Sequence, residues 1–454
     1  RFGNAIFEPL WNRHYIDNIQ FSVTESVGVE GRGEYYDRSG VVRDMLQNHM
    51  LQMLSYLCME TPDSLEADAI RDEKTKLLQS VRVYSHDEVS KHVARGQYGP
   101  LIDDTGKEMG HGYRGIDGVD PKSETETYAA ARLQIDNERW KGVPIYLRSG
   151  KALWKRGTEI VVEFKKEPMS PFVNTPLRQT CTNRLIFHIQ PHQGIEMHFY
   201  AKTPGPRLRL QPVHMGFRYE EAFKAPRYTG YEVMIYSCSH ADVTLFSRGD
   251  LVEAAWRIAQ PIIDYWSVTP APEFPNYARG SWGPKAAADL IERDGRHWYE
   301  VVPEDILRRV EIFREGDPLF LSQVKMALDA RQAAAGETII EKGEIGHEMY
   351  LLLRGEVEVI EEPDRVVKTL KDGDFFGEIA LLLLTPRNAT IRAKTACYLL
   401  VLNKADFDRI LYDHPRFAES LVKVARSRYS LNLCSQSLIG YQICSDRLGP
   451  SSDE

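Results

Sequence analysis

The sequence predicts an α+β chain. A large, mostly antiparallel sheet with helices on one face is followed by a small β-barrel or jelly roll with flanking helices. Three observations carry this. Val42, Leu46, Met50, Met53 and Leu57 recur at three- and four-residue steps, which is the apolar stripe of an amphipathic helix. From residue 145 the period changes to β-rich runs bounded by Gly and Pro and joined by hairpin-like turns. After residue 336 short strands follow one another with glycine punctuation, as in a small barrel. Composition shifts place boundaries at 1–299, 300–430 and 431–454, the last a loosely ordered tail ending in Gly-Pro-Ser-Ser-Asp-Glu.

Taken in order, Ile16–Glu25 alternates through Ile19, Phe21 and Val23 and predicts a strand. Residues 28–40, with Gly28, Gly31, Gly33 and Gly40, read as a turn or loop. The central helix follows and ends at Thr61-Pro62. At the ideal α-helical angle His49 lies about 60° from the stripe's centre, and Asp44 about 140° round from His49. Glu66–Leu78 predicts a charged amphipathic helix and residues 86–95 another, before a Gly/Asp-rich loop at 96–122. Thr125–Trp140 reads as a helix with Tyr128, Ala131, Leu133 and Ile135 inward. Strands are expected at Ile145–Leu147, Glu159–Phe164, Arg184–Ile189, Gly194–Phe199 and Thr244–Phe246, and a helix over Asp250–Trp266. Residues 300–330 read as helical, anchored by Ile306, Val310, Phe313, Leu319 and Leu321. Four short strands, Ile339-Ile340, Met349–Leu353, Glu356–Ile360 and Val366–Leu370, precede a helical stretch at 404–430.

The net charge of −8 and the lack of a basic run give nucleic acid no footprint. No apolar stretch reaches the ~18 residues of a membrane span. The six cysteines are scattered and form no CxxC pair, which fits a reduced cytoplasmic protein better than a disulfide scaffold or a zinc site. The chain opens on Arg1 inside a motif and reads as truncated at its front. Gly110-His111-Gly112-Tyr113-Arg114-Gly115 matches GxGxxG by letters, but Asp103, Asp104, Gly106 and Lys107 precede it instead of an apolar strand. It therefore reads as a loop rather than a dinucleotide-binding turn.

Six stretches in order carry a family resemblance. They are Arg1–Arg13 (RFGNAIFEPLWNR), Glu30–Asp37 (EGRGEYYD), Arg43–Leu54 (RDMLQNHMLQML), Asn137–Pro144 (NERWKGVP), Leu147–Leu153 (LRSGKAL), and Gly280–Pro284 with Arg293–Trp298. Residues 1–299 closely resemble the C-terminal, substrate-binding part of glucose-6-phosphate dehydrogenases. The resemblance implies oxidation of glucose 6-phosphate at C1 to 6-phosphogluconolactone, with NADP as hydride acceptor held mainly by a domain preceding Arg1. It implies His49 as the base that takes the C1 hydroxyl proton, chemistry suited to an imidazole. Sugar contacts carry over onto Glu25, Asp44, Lys151 and Gln190, and the family pairs subunits through the sheet as dimers or tetramers.

A second resemblance covers about residues 303–430. Phe375–Leu382 (FFGEIALL) and Pro386–Ala393 (PRNATIRA) closely resemble the phosphate-binding cassette of cyclic nucleotide-binding domains, and Gly336–Val357 matches that family's barrel. The implied ligand-binding residues are Gly377, Glu378, Ile379, Ala380, Arg387 and Asn388, with Glu378 on the ribose hydroxyl and Arg387 on the cyclic phosphate. A carboxylate acceptor and a guanidinium fork suit those groups. Asn388, where the family often has Thr or Ser, leaves cyclic AMP as the expected ligand. The expectation is thus a dehydrogenase regulated by cyclic nucleotide. The alternative is a non-catalytic sensor of sugar phosphate and cyclic nucleotide without a coenzyme domain.

Overall fold

The computed structural model describes residues 1–102, 108–166, 182–202, 210–223, 228–299, 302, 307–314, 316–361, 365–383, 385–395, 397–414, 417 and 421. The expected tail at 431–454 and most of the 404–430 stretch beyond residue 414 lie outside these residues. The chain forms two compact units, Arg1–Trp298 and Tyr299–Glu454.

The first unit is built on an eight-stranded sheet. Its strands are β1 (Ile16–Thr24), β2 (Val93–Gly96), β5 (Tyr128–Leu133), β6 (Ile145–Gly150), β7 (Gly157–Phe164), β8 (Arg184–Gln190), β9 (Gly194–Lys202) and β10 (Leu210–Arg218). The spatial order is β10-β9-β8-β7-β1-β6-β5-β2. All neighbours are antiparallel except β1 and β6, which run parallel, Ile19 facing Ile145 and Thr24 facing Gly150. A small hairpin, β3 (Leu101–Ile102) with β4 (Glu108–Gly110), stands apart from the sheet.

One face of the sheet is apolar. Ile19, Phe21, Leu147, Ile160 and Val162 are buried there. The continuous helical segment Val42–Cys58 packs on it, backed by α3 (Ala67–Gln79) and α7 (Gly249–Val268). Leu46, Met50 and Leu54 are fully buried, each contributing about 1.5–3 kcal/mol of apolar burial. The opposite face of the central strands is polar yet also covered. Arg148 Nε donates to Ser22 Oγ at 2.8 Å, its guanidinium lies 4.5 Å from the Trp298 ring centre, and Gln20 Nε2 donates to the His297 carbonyl at 3.1 Å. Trp298 Nε1 in turn donates to the Ala287 carbonyl at 2.8 Å, which ties α8 (Lys285–Glu292) to that face.

Burial on both faces explains one misreading. Thr125–Trp140 is not a helix: Tyr128–Leu133 is strand β5, paired with β2 and β6. A strand covered on both sides loses its polar alternation, and Ala129-Ala130-Ala131 reads as helical by propensity alone. Residues 28–40 are likewise not all loop. Gly33–Val41 forms helix α1, which kinks at Gly40. Thr244–Phe246 is a turn rather than a strand, its Phe246 carbonyl taken by Arg71 Nε at 3.2 Å. Residues 86–95 divide into α4 (His86–His92) and the start of β2, and the loop at 96–122 contains the β3–β4 hairpin. Strand β10, α8 and the helix Gly230–Ser239 went unpredicted.

The second unit holds two four-stranded antiparallel sheets. One runs β11 (Leu328–Ala333), β18 (Cys397–Asn403), β13 (Glu348–Arg354), β16 (Phe375–Phe376). The other runs β12 (Thr338–Ile340), β17 (Thr390–Ala393), β14 (Val357–Glu361), β15 (Arg365–Leu370). Tyr350, Leu352, Val357, Phe376 and Leu399 are buried in one cluster drawn from both. Helix Pro318–Ala327, capped by the Asp317 side chain, and helix Lys404–Asp413, capped by Asn403, flank the sheets. Ile306 lies outside the described residues.

Candidate functional site

Four strand ends meet at one edge of the large sheet. Thr24 closes β1 beside Gly150 at the end of β6 and Gly157 at the start of β7, and Gln190 closes β8 beside Thr158. The residues just past these ends are therefore brought together. Glu25 N–H donates to the Gly150 carbonyl at 3.0 Å, and Lys151 N–H to the Thr127 carbonyl at 2.9 Å. Tyr277 Oη donates to the Lys151 carbonyl at 2.8 Å, which pins the Arg148–Leu153 stretch from behind.

Lys151 Nζ donates to both Glu25 oxygens at 2.8 Å and lies 3.8 Å from Asp44 Oδ2. The Lys151 side chain is 13% exposed, so this ion pair is only weakly screened. Its ammonium also stands 5.3 Å from the ring centre of Tyr36. Asp44 reaches the cluster from the helix above it. Val42–Met50 is a π-helix rather than the first half of an α-helix, and Leu51 N–H closes on the Leu46 carbonyl five residues back. Asp44 and His49 are five apart in this segment, so the 140° separation expected for an α-helix does not apply: the wider turn of a π-helix brings them closer round the axis.

Gly40 sets up this segment. It has φ 66° and ψ 172°, a backbone almost confined to glycine, and it turns α1 into the π-helix. A Cβ there would come 2.3 Å from Glu126 Oε1, whose carboxylate accepts the Val42 N–H at 3.3 Å. Burial pushes the Glu126 carboxyl above its ordinary value, against the pull of that hydrogen bond and of Arg43 and Arg95. Upstream, Tyr36 is buried. Burial, then the negative charge of Glu126 and Asp44, holds its hydroxyl well above the ordinary tyrosine value.

The structure thus gathers Glu25, Asp44 and Lys151. His49 is exposed and makes no hydrogen bond among the described residues. Gln190 is also exposed, at the end of β8 on the same sheet edge. Tyr36 and Glu126 were missed by the sequence reading. Tyr36 falls in the glycine-rich stretch whose composition predicts a loop, and nothing local marks Glu126 as the cap of a segment 84 residues away in the chain. The Gly110–Gly115 run starts on the last residue of the short strand β4 and ends in a single 3₁₀ turn, Tyr113–Gly115. Among the described residues no group of three His, Cys, Asp or Glu side chains is arranged to hold a metal, and no helix is long and apolar enough to cross a membrane.

In the second unit Gly377 has φ 85° and separates Phe376 from the helix Glu378–Leu383. Glu378 is fully buried, and Ile379 and Ala380 are buried beside it. Arg387 is 5% exposed. Its Nη1 donates to the Gly377 carbonyl at 2.8 Å, its Nη2 to the Glu348 carbonyl at 2.7 Å, and its Nε lies 3.9 Å from Glu344 Oε1. Burial lowers the guanidinium from its ordinary value, while the negative charges of Glu344, Glu348 and Glu378 pull it back. Gly346 admits this arginine closely, since a Cβ there would stand 2.5 Å from Cζ. Asn388 is exposed.

Residues 1–299 match the family described as the glucose-6-phosphate dehydrogenase C-terminal domain, and residues 330–414 match the cyclic nucleotide-binding domain. The glucose-6-phosphate 1-dehydrogenase of Chlamydia pneumoniae is 43% identical over 303 residues, covering 66% of this chain and 58% of its own. The Bacillus subtilis enzyme is 41% identical over 304 residues, covering 66% and 61%. A solved glucose-6-phosphate dehydrogenase in complex with its substrate glucose-6-phosphate superposes with a TM-score of 0.60 at 32% identity, covering 66% of this chain and 60% of that one. The chain spans about three fifths of the length of these relatives. With a matching sheet, matching motifs and a charged cluster at the sheet's edge, the chain belongs to the glucose-6-phosphate dehydrogenase C-terminal domain family, and it carries a cyclic nucleotide-binding domain after it.

Proposed function

We propose that this chain is the sugar-phosphate-binding part of a glucose-6-phosphate dehydrogenase under cyclic nucleotide control. The observation that carries the reading is the Glu25–Lys151–Asp44 cluster, whose Asp44 sits on the same π-helical segment, Val42–Met50, as His49. A polyol is held by paired acceptors and donors, and Glu25, Asp44, Lys151 and Gln190 supply both. His49, exposed on the segment that supplies Asp44, takes the C1 hydroxyl proton as general base. NADP supplies the hydride acceptor. The Gly110–Gly115 run lacks the strand–turn–helix frame that cradles a pyrophosphate, so no residue of this chain is assigned to the coenzyme.

In the domain at residues 300–430, Gly377, Glu378, Ile379, Ala380, Arg387 and Asn388 receive a cyclic nucleotide, with cyclic AMP the favoured ligand. Arg387 is a buried cation whose two terminal nitrogens rest on carbonyls, an arrangement a phosphate can take over. Nucleotide binding then shifts the helix beginning at Lys404 and alters the dehydrogenase or its oligomer, a dimer or tetramer paired through the large sheet, in the cytoplasm.

The test uses this chain and the chain extended to its relatives' full length. This chain binds glucose 6-phosphate in a calorimetric titration, and Lys151→Met weakens binding about 10- to 100-fold, as expected for a charge-assisted hydrogen bond. In the extended chain, His49→Asn lowers kcat about 10²- to 10⁴-fold with KM little changed. Unaltered turnover in His49→Asn overturns the assignment of the base. A cyclic AMP titration that moves neither turnover nor oligomeric state overturns the regulation.

A further inference from the structure

We propose that Tyr36 is a positioning residue for Lys151. Its ring face, together with the Glu25 carboxylate, holds the ammonium where it meets a sugar hydroxyl. The inference rests on the reading of this cluster as the sugar-phosphate site. The two oxygens of the Glu25 carboxylate, both at 2.8 Å, occupy one side of the ammonium, and Asp44 Oδ2 at 3.8 Å is beyond hydrogen-bond reach. Donor capacity is left for a ligand, and its direction depends on what else fixes the lysine. The Tyr36 ring does this at 5.3 Å, within cation–π range.

The ring is itself well fixed. It meets the edge of Tyr113 at 6.2 Å and 73°, and Tyr113 Oη donates to Asp37 Oδ1 at 2.8 Å. Asp37 also accepts from Ser123 Oγ and is the residue after Tyr36 in α1. The Tyr36 hydroxyl, by contrast, is buried and has no hydrogen-bond partner among the described residues. Nothing among the described residues uses it as an anchor. The position therefore requires an aromatic face, and the hydroxyl is incidental to holding Lys151.

The experiment separates ring from hydroxyl and positioning from packing. Tyr36→Phe, Tyr36→Leu and Tyr36→Met are each combined with Lys151 and with Lys151→Met, and glucose 6-phosphate affinity is measured by calorimetry. Tyr36→Phe is expected to stay within twofold of the parent. Tyr36→Leu and Tyr36→Met are expected to weaken binding about fivefold to thirtyfold, and less than twofold once Lys151 is methionine. A loss in Tyr36→Phe equal to that in Tyr36→Leu overturns the proposal by assigning the effect to the hydroxyl. Equal losses with and without Lys151 overturn it by making the role structural. A ligand-free cycle on thermal unfolding tests the ring–ammonium contact separately, and additivity of the 36 and 151 substitutions there also overturns it. A parent chain that shows this coupling but binds no glucose 6-phosphate overturns the functional reading instead.

Discussion

Gly40→Ala tests how the site is built. At φ 66° and ψ 172° an alanine is strained by about 1–3 kcal/mol, because its Cβ meets the backbone in a region almost confined to glycine. The same Cβ would lie 2.3 Å from Glu126 Oε1. The carboxylate must swing away, and it then gives up the Val42 N–H that it accepts at 3.3 Å. Losing a cap of this kind costs about 1 kcal/mol. The substitution should therefore lower the unfolding free energy by about 2–4 kcal/mol, read from urea unfolding followed by circular dichroism. The clash term has its own control. In Glu126→Ala the carboxylate is gone, so adding Gly40→Ala should cost only the backbone strain, and the double variant should fall short of additivity by about 1 kcal/mol. Gly40→Ala within 0.5 kcal/mol of the parent would refute the claim that this glycine sets the hand-over from α1 to the π-helix. Strict additivity would refute the role given to Glu126.

Lys74 is buried with its ammonium 3.8 Å from the Tyr56 ring centre, and burial pushes it down to about 8. Between about pH 8 and the ordinary lysine value near 10.4 the unfolded chain keeps a proton that the folded chain has lost, so stability rises with pH by at most ~1.4 kcal/mol per unit. Lys74→Met should remove that rise, and parallel pH profiles for the two proteins would contradict it. Arg387→Gln should weaken cyclic AMP binding by about 2–5 kcal/mol in a calorimetric titration, the usual effect of truncating a buried charge partner, with a variant that binds as the parent does counting against the assignment. Trp140 is fully buried and its Nε1 donates to the Cys58 carbonyl at 2.7 Å. Trp140→Phe leaves that carbonyl unpaired and should cost about 1–3 kcal/mol, visible as a lowered Tm; an unchanged Tm would speak against a water-excluded contact.

The elements that were legible in the sequence are those whose signal is local. The helix expected at Glu66–Leu78 is found at Ala67–Gln79, and the strand expected at Ile16–Glu25 is found at Ile16–Thr24, because one face of each meets the core and the other stays distinct. Glycines at 336, 343, 355 and 373 have positive φ and mark the turns of the second unit where the punctuation placed them. The family resemblance, carried by motifs taken together in order, named Glu25, Asp44, Lys151, Glu378 and Arg387 as candidates. Their side chains are brought together, or buried, by the fold.

What only the tertiary structure decided are the features that depend on partners far away in the chain. Strand β5 is concealed by cover on both of its faces. The π-helix begins just past the point where Gly40 and Glu126 meet, and a periodicity calculated at 100° per residue does not describe it. The contact between Tyr36 and Lys151 joins residues 115 positions apart, Lys151 standing just past the end of β6 where it pairs in parallel with β1. A side chain's type and its local period are written in sequence. Its electrostatic neighbours are set by burial and register, which exist only once the sheet has formed.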